Sequence, residues 1–210
     1  RNVDDLEDAS LALCHRGAGC ATLPLDIRDT VAMRSALAAL APFDILVNNA
    51  GANRPGAFLD ASEDDFDFVM SLNVRAAFFI AQTIARAMIA AGRRGSIINL
   101  SSQLGHIGAV NRTIYAASKH AVEGLTKTIA IDLAPHRIRV NALAPTFIET
   151  PMTRPYLDDP AVRASIASRI KLGRVGQPED LTGAILFLAS DASALMTGAS
   201  LVIDGGWTAG

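Results

Sequence analysis

The chain has 210 residues, half of them hydrophobic, which is enough for one sizeable core and too short for two full domains, so residues 1–210 are read as a single domain. Acidic and basic residues interleave to a formal net charge of -2, leaving neither a basic stripe for nucleic acid nor an acidic tail. Apolar runs such as Ala184-Ile185-Leu186-Phe187-Leu188-Ala189 fall well short of the roughly 18 residues of a membrane span, so a soluble protein acting on small molecules is expected. Cys14 and Cys20 fit neither a CxxC pair nor a zinc pattern and are read as reduced thiols of a cytoplasmic protein.

Along the chain, short apolar clusters alternate with stretches of helical period, the pattern of a parallel sheet covered by helices on both faces. Helices are expected at Asp4–Leu13, Thr30–Ala41, Glu63–Ala91, Thr113–Ala134, Ala161–Ile170 and Glu179–Ala189. Strands are expected at Ala21–Leu25, Ile45–Asn48, Ser96–Leu100, Arg139–Ala142 and Ser200–Ile203. Ser62 suits an N-cap for the helix beginning at Glu63, Pro178 suits a first helical position, and Gly92 suits a helix stop. The irregular region 146–177, rich in proline, follows a strand's C-terminal end and is read as a substrate loop or lid over the ligand crevice of an open α/β sheet.

Tyr115 and Lys119 stand four apart on a proposed helix, so their side chains share one face. A phenol with a pKa near 10 is a poor acid-base group at neutral pH, and a neighbouring ammonium moves it toward the working range. Ser102, at a strand end, is placed to hydrogen-bond a substrate oxygen while Tyr115 exchanges a proton with it. His15, His106, His120 and His136 are scattered, with no carboxylate cluster beside them, and no metal site is expected.

These residues sit in SSQLGHIGAVNRTIYAASK, and here the sequence resembles the short-chain dehydrogenase/reductase family over essentially its whole length. The resemblance implies a doubly wound, Rossmann-like α/β fold and an oxidoreductase that moves a hydride between a nicotinamide cofactor and a secondary alcohol or ketone. It assigns Asn73, Ser102, Tyr115 and Lys119 to catalysis, Asn73 helping hold a water in the proton relay with the lysine. The family's Asn-Asn-Ala-Gly motif matches Asn48-Asn49-Ala50-Gly51, expected to stabilise the central sheet and lie against the cofactor. Asp26 and Ile27 match the adenine end of the cofactor site, Asp26 as acceptor for the adenine amino group. Pro145, Ile148 and Thr150 match the segment that contacts the nicotinamide carboxamide, with Thr146 standing where the family usually has glycine. The stretch from Gly198 to Trp207 resembles the family's last strand and a subunit contact, and the family pattern implies a homotetramer.

The family's glycine-rich phosphate cradle, between the first strand and first helix, has no match in these residues. The sequence is therefore expected to lack the first strand-helix-strand unit, on the order of 35–40 residues by the length of a βαβ unit. Arg1 would then follow the second strand, where an acid selects NAD and a basic residue NADP, and it favours NADP. Two substrate classes are similar to the sequence. A 3-oxoacyl thioester on a carrier protein calls for exposed basic residues, for which Arg112, Arg154, Arg163 and Arg169 are available. A sugar or polyol calls for hydrogen-bonding groups, which Gln103, His106, Asn111 and Glu149 offer. A non-catalytic cofactor-binding or structural subunit is the alternative of another class.

Overall fold

A computed structural model of the chain describes residues 3–40 and 42–210. Four strands, β1 (Ile45–Asn48), β2 (Gly95–Leu100), β3 (Ile138–Pro145) and β4 (Ser200–Ile203), form a parallel sheet in the order β1-β2-β3-β4 among the described residues. The helices are α1 (Val3–His15), α2 (Thr30–Ala38), α3 (Glu63–Met70), α4 (Ala77–Ala90), α5 (Thr113–Leu133), α6 (Arg154–Leu157), α7 (Pro160–Arg169) and α8 (Glu179–Ala189).

Successive strand residues face opposite sides, so a strand buried on both faces reads as a continuous apolar run. Ile97 on β2 packs with Ala81, Ile84, Ala85 and Met88 of α4 and with Ala130 of α5. Its neighbour Ile98 packs the other way, with Leu143 of β3 and Leu188 of α8. Met88 is wholly buried, and a Cβ on Gly95 would lie 2.6 Å from its sulfur, so the first residue of β2 has no room for a side chain. The run Glu63–Ala90 is apolar enough to cross a membrane by length and composition, yet it opens on Glu63, Asp64 and Asp65 and buries its apolar face against the sheet.

Local signals act where expected. Ser62 caps α3 by accepting a hydrogen bond from the Asp65 amide at 3.1 Å. Gly92 ends α4 at φ +65°, with the Arg93 amide donating to the Met88 carbonyl at 2.9 Å, a left-handed turn that glycine adopts without a Cβ penalty. Pro178 stands one position earlier than expected, as the residue flanking α8.

Three expectations are corrected. Ala21–Leu25 is not a strand: Pro24 has no N–H to donate, and among the described residues no strand pairs with this segment or with the free edge of β1, where Ile45 and Val47 are exposed. The helix expected over Glu63–Ala91 is interrupted by a π-helical turn, Ser71–Ala76, which carries Asn73. The helix expected over Thr30–Ala41 stops at Ala38, and Ala41 lies outside the described residues, as does Arg1.

Candidate active site

The strands all end on one side, and the C-terminal ends of β1 and β2 bring together the residues singled out above. Asn48, the last residue of β1, donates through Nδ2 to the Ala77 carbonyl at 3.1 Å and to Asn99 Oδ1 at 3.0 Å. Asn99 in turn donates to Thr126 Oγ1 of α5 at 3.0 Å. This polar ladder fixes α5 and α4 against the strand ends, and buried polar groups need such partners to offset desolvation. Asn99 and Thr126 are not marked by any sequence signal beyond being polar in apolar surroundings. Asn49 and Ala50, just beyond, are exposed, and Gly51 is half-buried.

The π turn between α3 and α4 aims Asn73 inward, where it is 2 % exposed. Its Oδ1 accepts from the Ala52 amide at 2.8 Å, and its Nδ2 donates to the Ala52 carbonyl at 2.9 Å and to Ser118 Oγ of α5 at 3.0 Å. A Cβ on Gly51 would lie 3.4 Å from Asn73 Oδ1 and 3.8 Å from Lys119 Nζ. The helix asparagine, the glycine of the β1 turn and the helix lysine therefore meet at one point. π turns widen the helix and often mark functional positions.

Lys119, buried on α5, donates through Nζ to the Leu100 carbonyl at 2.7 Å. Burial brings its pKa down to about 8, opposed by the carboxylate of Glu123 one turn on. Its ammonium lies 5.5 Å from the centroid of the Tyr115 ring. Burial pushes the Tyr115 phenol above its ordinary value, opposed by a hydrogen bond with Ser102 and by the charge of Arg112. Arg112 is thus a second cation near the phenol, beside the Lys119 ammonium to which the spacing argument looked. Ser102 caps the short 3-10 turn Gln103–Gly105, its Oγ accepting from the Leu104 amide at 3.1 Å.

Ser102 and Tyr115 open onto a cleft of about 80 Å³ whose walls include Asn53, Gln103, Arg112, Thr146 and Phe147. Region 146–177 contributes Met152, Thr153 and Tyr156 to the same cleft. Three wall residues hold buried side-chain atoms without a hydrogen-bond partner: Asn53 Oδ1, Gln103 Oε1 and Thr146 Oγ1. Thr146 has no positive φ, so the residue standing in the family's glycine place fits ordinary backbone and adds a hydroxyl to the cleft. Pro145 ends β3 beside Ile203, Ile148 is buried and bridges to Gly176, and Thr150 is held by Thr153 through its amide at 2.9 Å.

Other candidates lie elsewhere. His106 turns from the cleft, with Nε2 3.0 Å from Ser200 Oγ and 3.3 Å from the buried Glu123. Asn111 adopts a left-handed backbone at φ 57° and uses its carbonyl to accept from the Gly56 amide. Glu149 pairs with Arg163 at 3.0 Å. Asp26 receives two hydrogen bonds from Arg28 Nε and a third from its NH2 at 2.6 Å, and Ile27 lies in the turn between them. Asn53 is a cleft residue that sequence reasoning missed, while Met152, Thr153 and Tyr156 lie in the region read as a substrate loop but were not singled out individually.

A parallel sheet whose strand ends converge on a polar crevice, with a serine and a tyrosine on its wall and a buried lysine behind, defines a Rossmann-like oxidoreductase. Known proteins agree. A family model for enoyl-(acyl carrier protein) reductases matches residues 2–208. L-xylulose reductase of Bos taurus is 40% identical over 91% of this chain and 78% of its own length. 2-Dehydro-3-deoxy-D-gluconate 5-dehydrogenase of Escherichia coli K12 is 44% identical over 83% of this chain and 69% of its own. The crystal structure of a gluconate 5-dehydrogenase from Burkholderia cenocepacia in complex with NADP and tartrate superposes with a TM-score of 0.94 at 36% identity, covering 100% of this chain and 84% of that one. The chain belongs to the short-chain dehydrogenase/reductase family and is an NAD(P)-dependent oxidoreductase.

Proposed function

We propose that the protein interconverts a secondary alcohol and a ketone on a polyhydroxylated small molecule of the sugar or polyol class. The observation that carries this reading is the cleft itself: Ser102 and Tyr115 share its wall with partnerless polar atoms of Asn53 and Gln103. Such atoms cost free energy when dry and are satisfied by a ligand that brings its own hydroxyls. The sugar-processing relatives support the same class.

In the reductive direction the Tyr115 hydroxyl delivers its proton to the substrate carbonyl oxygen, while the Ser102 hydroxyl donates a hydrogen bond to that oxygen. A nicotinamide cofactor, when bound, would supply the hydride. Lys119 and Asn73 serve the relay that returns a proton to Tyr115. The residues fit the nicotinamide half of such a cofactor: Thr146 keeps a buried hydroxyl without a partner, and Gly51 leaves open the space beside Asn73 and Lys119. Pro145, Ile148 and Thr150 would border the carboxamide, Asn49 and Ala50 would lie against the cofactor, and Asp26 with Ile27 would border the adenine. NADP is the favoured cofactor, supported by its presence in the related structures from Burkholderia cenocepacia and Agrobacterium tumefaciens.

The thioester alternative has less support, because Arg163 is taken by Glu149 and Arg169 lies over the Trp207 ring. Region 146–177 acts as the substrate loop, the protein assembles as a homotetramer, and it works in the cytoplasm without membrane or nucleic-acid partners. The exposure of Ile131 on α5 and of Phe66 on α3 supports burial between subunits. Turnover of NADPH and NADH by the full-length protein with ketoses, polyols and a 3-oxoacyl thioester tests the assignment. Reduction of ketoses is the expected result, and turnover confined to the thioester would overturn it.

A further inference from the structure

The cleft has one electrostatic feature that a neutral sugar does not use. Among the described residues, Arg112 is the only charged side chain on its wall, and no Asp or Glu lines it. Three nearby arginines have acid partners, Arg54 with Asp65 at 2.6 Å, Arg163 with Glu149 at 3.0 Å and Arg174 with Asp180 at 2.6 Å, and Arg154, which forms no ion pair among the described residues, does not line the cleft. Arg112 has none among the described residues. Its NH1 donates to the Asn111 carbonyl at 3.0 Å, and its guanidinium rests 5.5 Å from the centroid of the Tyr156 ring, which holds the fork at the cleft while leaving most of its donors unspent. It is also the residue flanking the N-terminus of the 21-residue helix α5, so the positive end of the helix faces the same wall.

A guanidinium fixed in this way is suited to a carboxylate, which it grips with two parallel hydrogen bonds. Gln103, 1 % exposed with Oε1 unpartnered, and Asn53, with Oδ1 unpartnered, offer hydrogen-bonding groups for what lies between that carboxylate and the reacting carbon. We propose that the substrate is a polyhydroxylated keto acid and its hydroxy-acid counterpart, with Arg112 binding the carboxylate, Gln103 and Asn53 binding hydroxyls, and Ser102 and Tyr115 at the carbonyl. Arg112 and Tyr115 line the same cleft. A keto acid brings both a carboxylate and a ketone to one cleft wall, whereas a neutral ketose leaves the guanidinium without a counter-charge. This inference rests on the sugar-class reading above and narrows it.

The test compares reduction of a six-carbon keto-aldonate, the neutral ketohexose of equal length and the ketohexose phosphate by the full-length protein with NADPH. The wild type is expected to prefer the keto-aldonate by at least about tenfold in kcat/KM. Arg112→Gln is expected to lower the ratio of keto-aldonate to ketohexose kcat/KM by about 10- to 100-fold, mostly through KM, the range of a charge-assisted hydrogen bond. Arg112→Lys, which keeps the charge and loses the fork, should recover part of that ratio. As a measurement independent of turnover, tartrate should raise the melting temperature of the wild type more than that of Arg112→Gln. A wild type that prefers the neutral ketose or the phosphate, or a ratio unmoved by Arg112→Gln, overturns the carboxylate assignment while leaving the sugar reading standing. A wild type that reduces none of the three and reduces a 3-oxoacyl thioester overturns both.

Discussion

The Lys119 ammonium donates a 2.7 Å hydrogen bond to the carbonyl of Leu100, the last residue of β2. One bond thereby joins the helix that carries Tyr115 to the strand end that leads into Ser102, two residues on. The lysine also sits against Asn73 across the space left by Gly51. Sheet end, π turn and α5 share a single buried polar junction.

Tyr115→Phe keeps the ring and removes the proton donor. It should lower kcat about 10³-fold while leaving nicotinamide binding within a factor of a few, read by steady-state kinetics and cofactor titration. Ser102→Ala should cost about 10²-fold, mainly in kcat. A Tyr115→Phe enzyme that turns over within tenfold of wild type would remove the phenol from the mechanism.

Burial holds Lys119 near a pKa of about 8, below its ordinary range, so the folded protein binds this proton less readily than the unfolded chain. The resulting destabilisation is present in full below pH 8 and fades as pH rises toward the unfolded value of about 10.4. Lys119→Met should therefore be inactive yet more stable at pH 7, by about 1–2 kcal/mol after the lost hydrogen bond to Leu100 is offset. Thermal melts at pH 7 and pH 10 check this. A gain that does not shrink with pH would show that desolvation of the ammonium is not its source.

Asn73 acts as both acceptor and donor, and its donor half reaches the Ala52 carbonyl and Ser118 Oγ. Asn73→Asp supplies no N–H and sets a charge against that carbonyl, so it should destabilise at least as much as Asn73→Ala, about 2–4 kcal/mol for each. Denaturant unfolding of both variants tests the point. An Asp variant close to wild type in stability would mean that only the acceptor bond to the Ala52 amide matters.

Two glycines of the loop after β2 should answer differently to alanine. A Cβ at Gly105 would lie 2.7 Å from Ser101 Oγ, 3.0 Å from Glu123 Cγ and 3.1 Å from the Lys119 carbonyl, so the loop must shift against α5. Gly105→Ala should lose about 1–3 kcal/mol and reduce activity, because Ser102 lies on the same turn. Gly108 has nothing within 4 Å of its Cβ position, and Gly108→Ala should stay within about 0.5 kcal/mol of wild type. Equal melting temperatures for the two variants would contradict this packing.

Much of the fold was legible because period and punctuation are local. The helix over Thr113–Leu133, the cap at Ser62, the stop at Gly92 and the strand at Ile45–Asn48 all follow from the residues within a turn or two. The π turn at Ser71–Ala76 was not legible, since the same apolar run suits an unbroken helix and only the packing of Asn73 on Ala52 and Ser118 displaces it. Ala21–Leu25 misled because strand identity requires a neighbour, and apolar composition alone does not supply one.

The site divides along the same line. Ser102, Tyr115 and Lys119 lie within one short stretch, so their spacing and flanking motifs named them, and the family of the chain with them. The tertiary structure decided which groups line the cleft: Asn53, Thr146 and Tyr156 join Gln103 and Arg112 on its wall, while His106 turns to Glu123 and Ser200. Sequence order carries the chemistry of the helix and strand end, whereas the direction of a loop side chain depends on partners dozens of residues away. That is why the Ser-Tyr-Lys set was readable from residues in a row, and the placement of Arg112 on the cleft wall only from the fold.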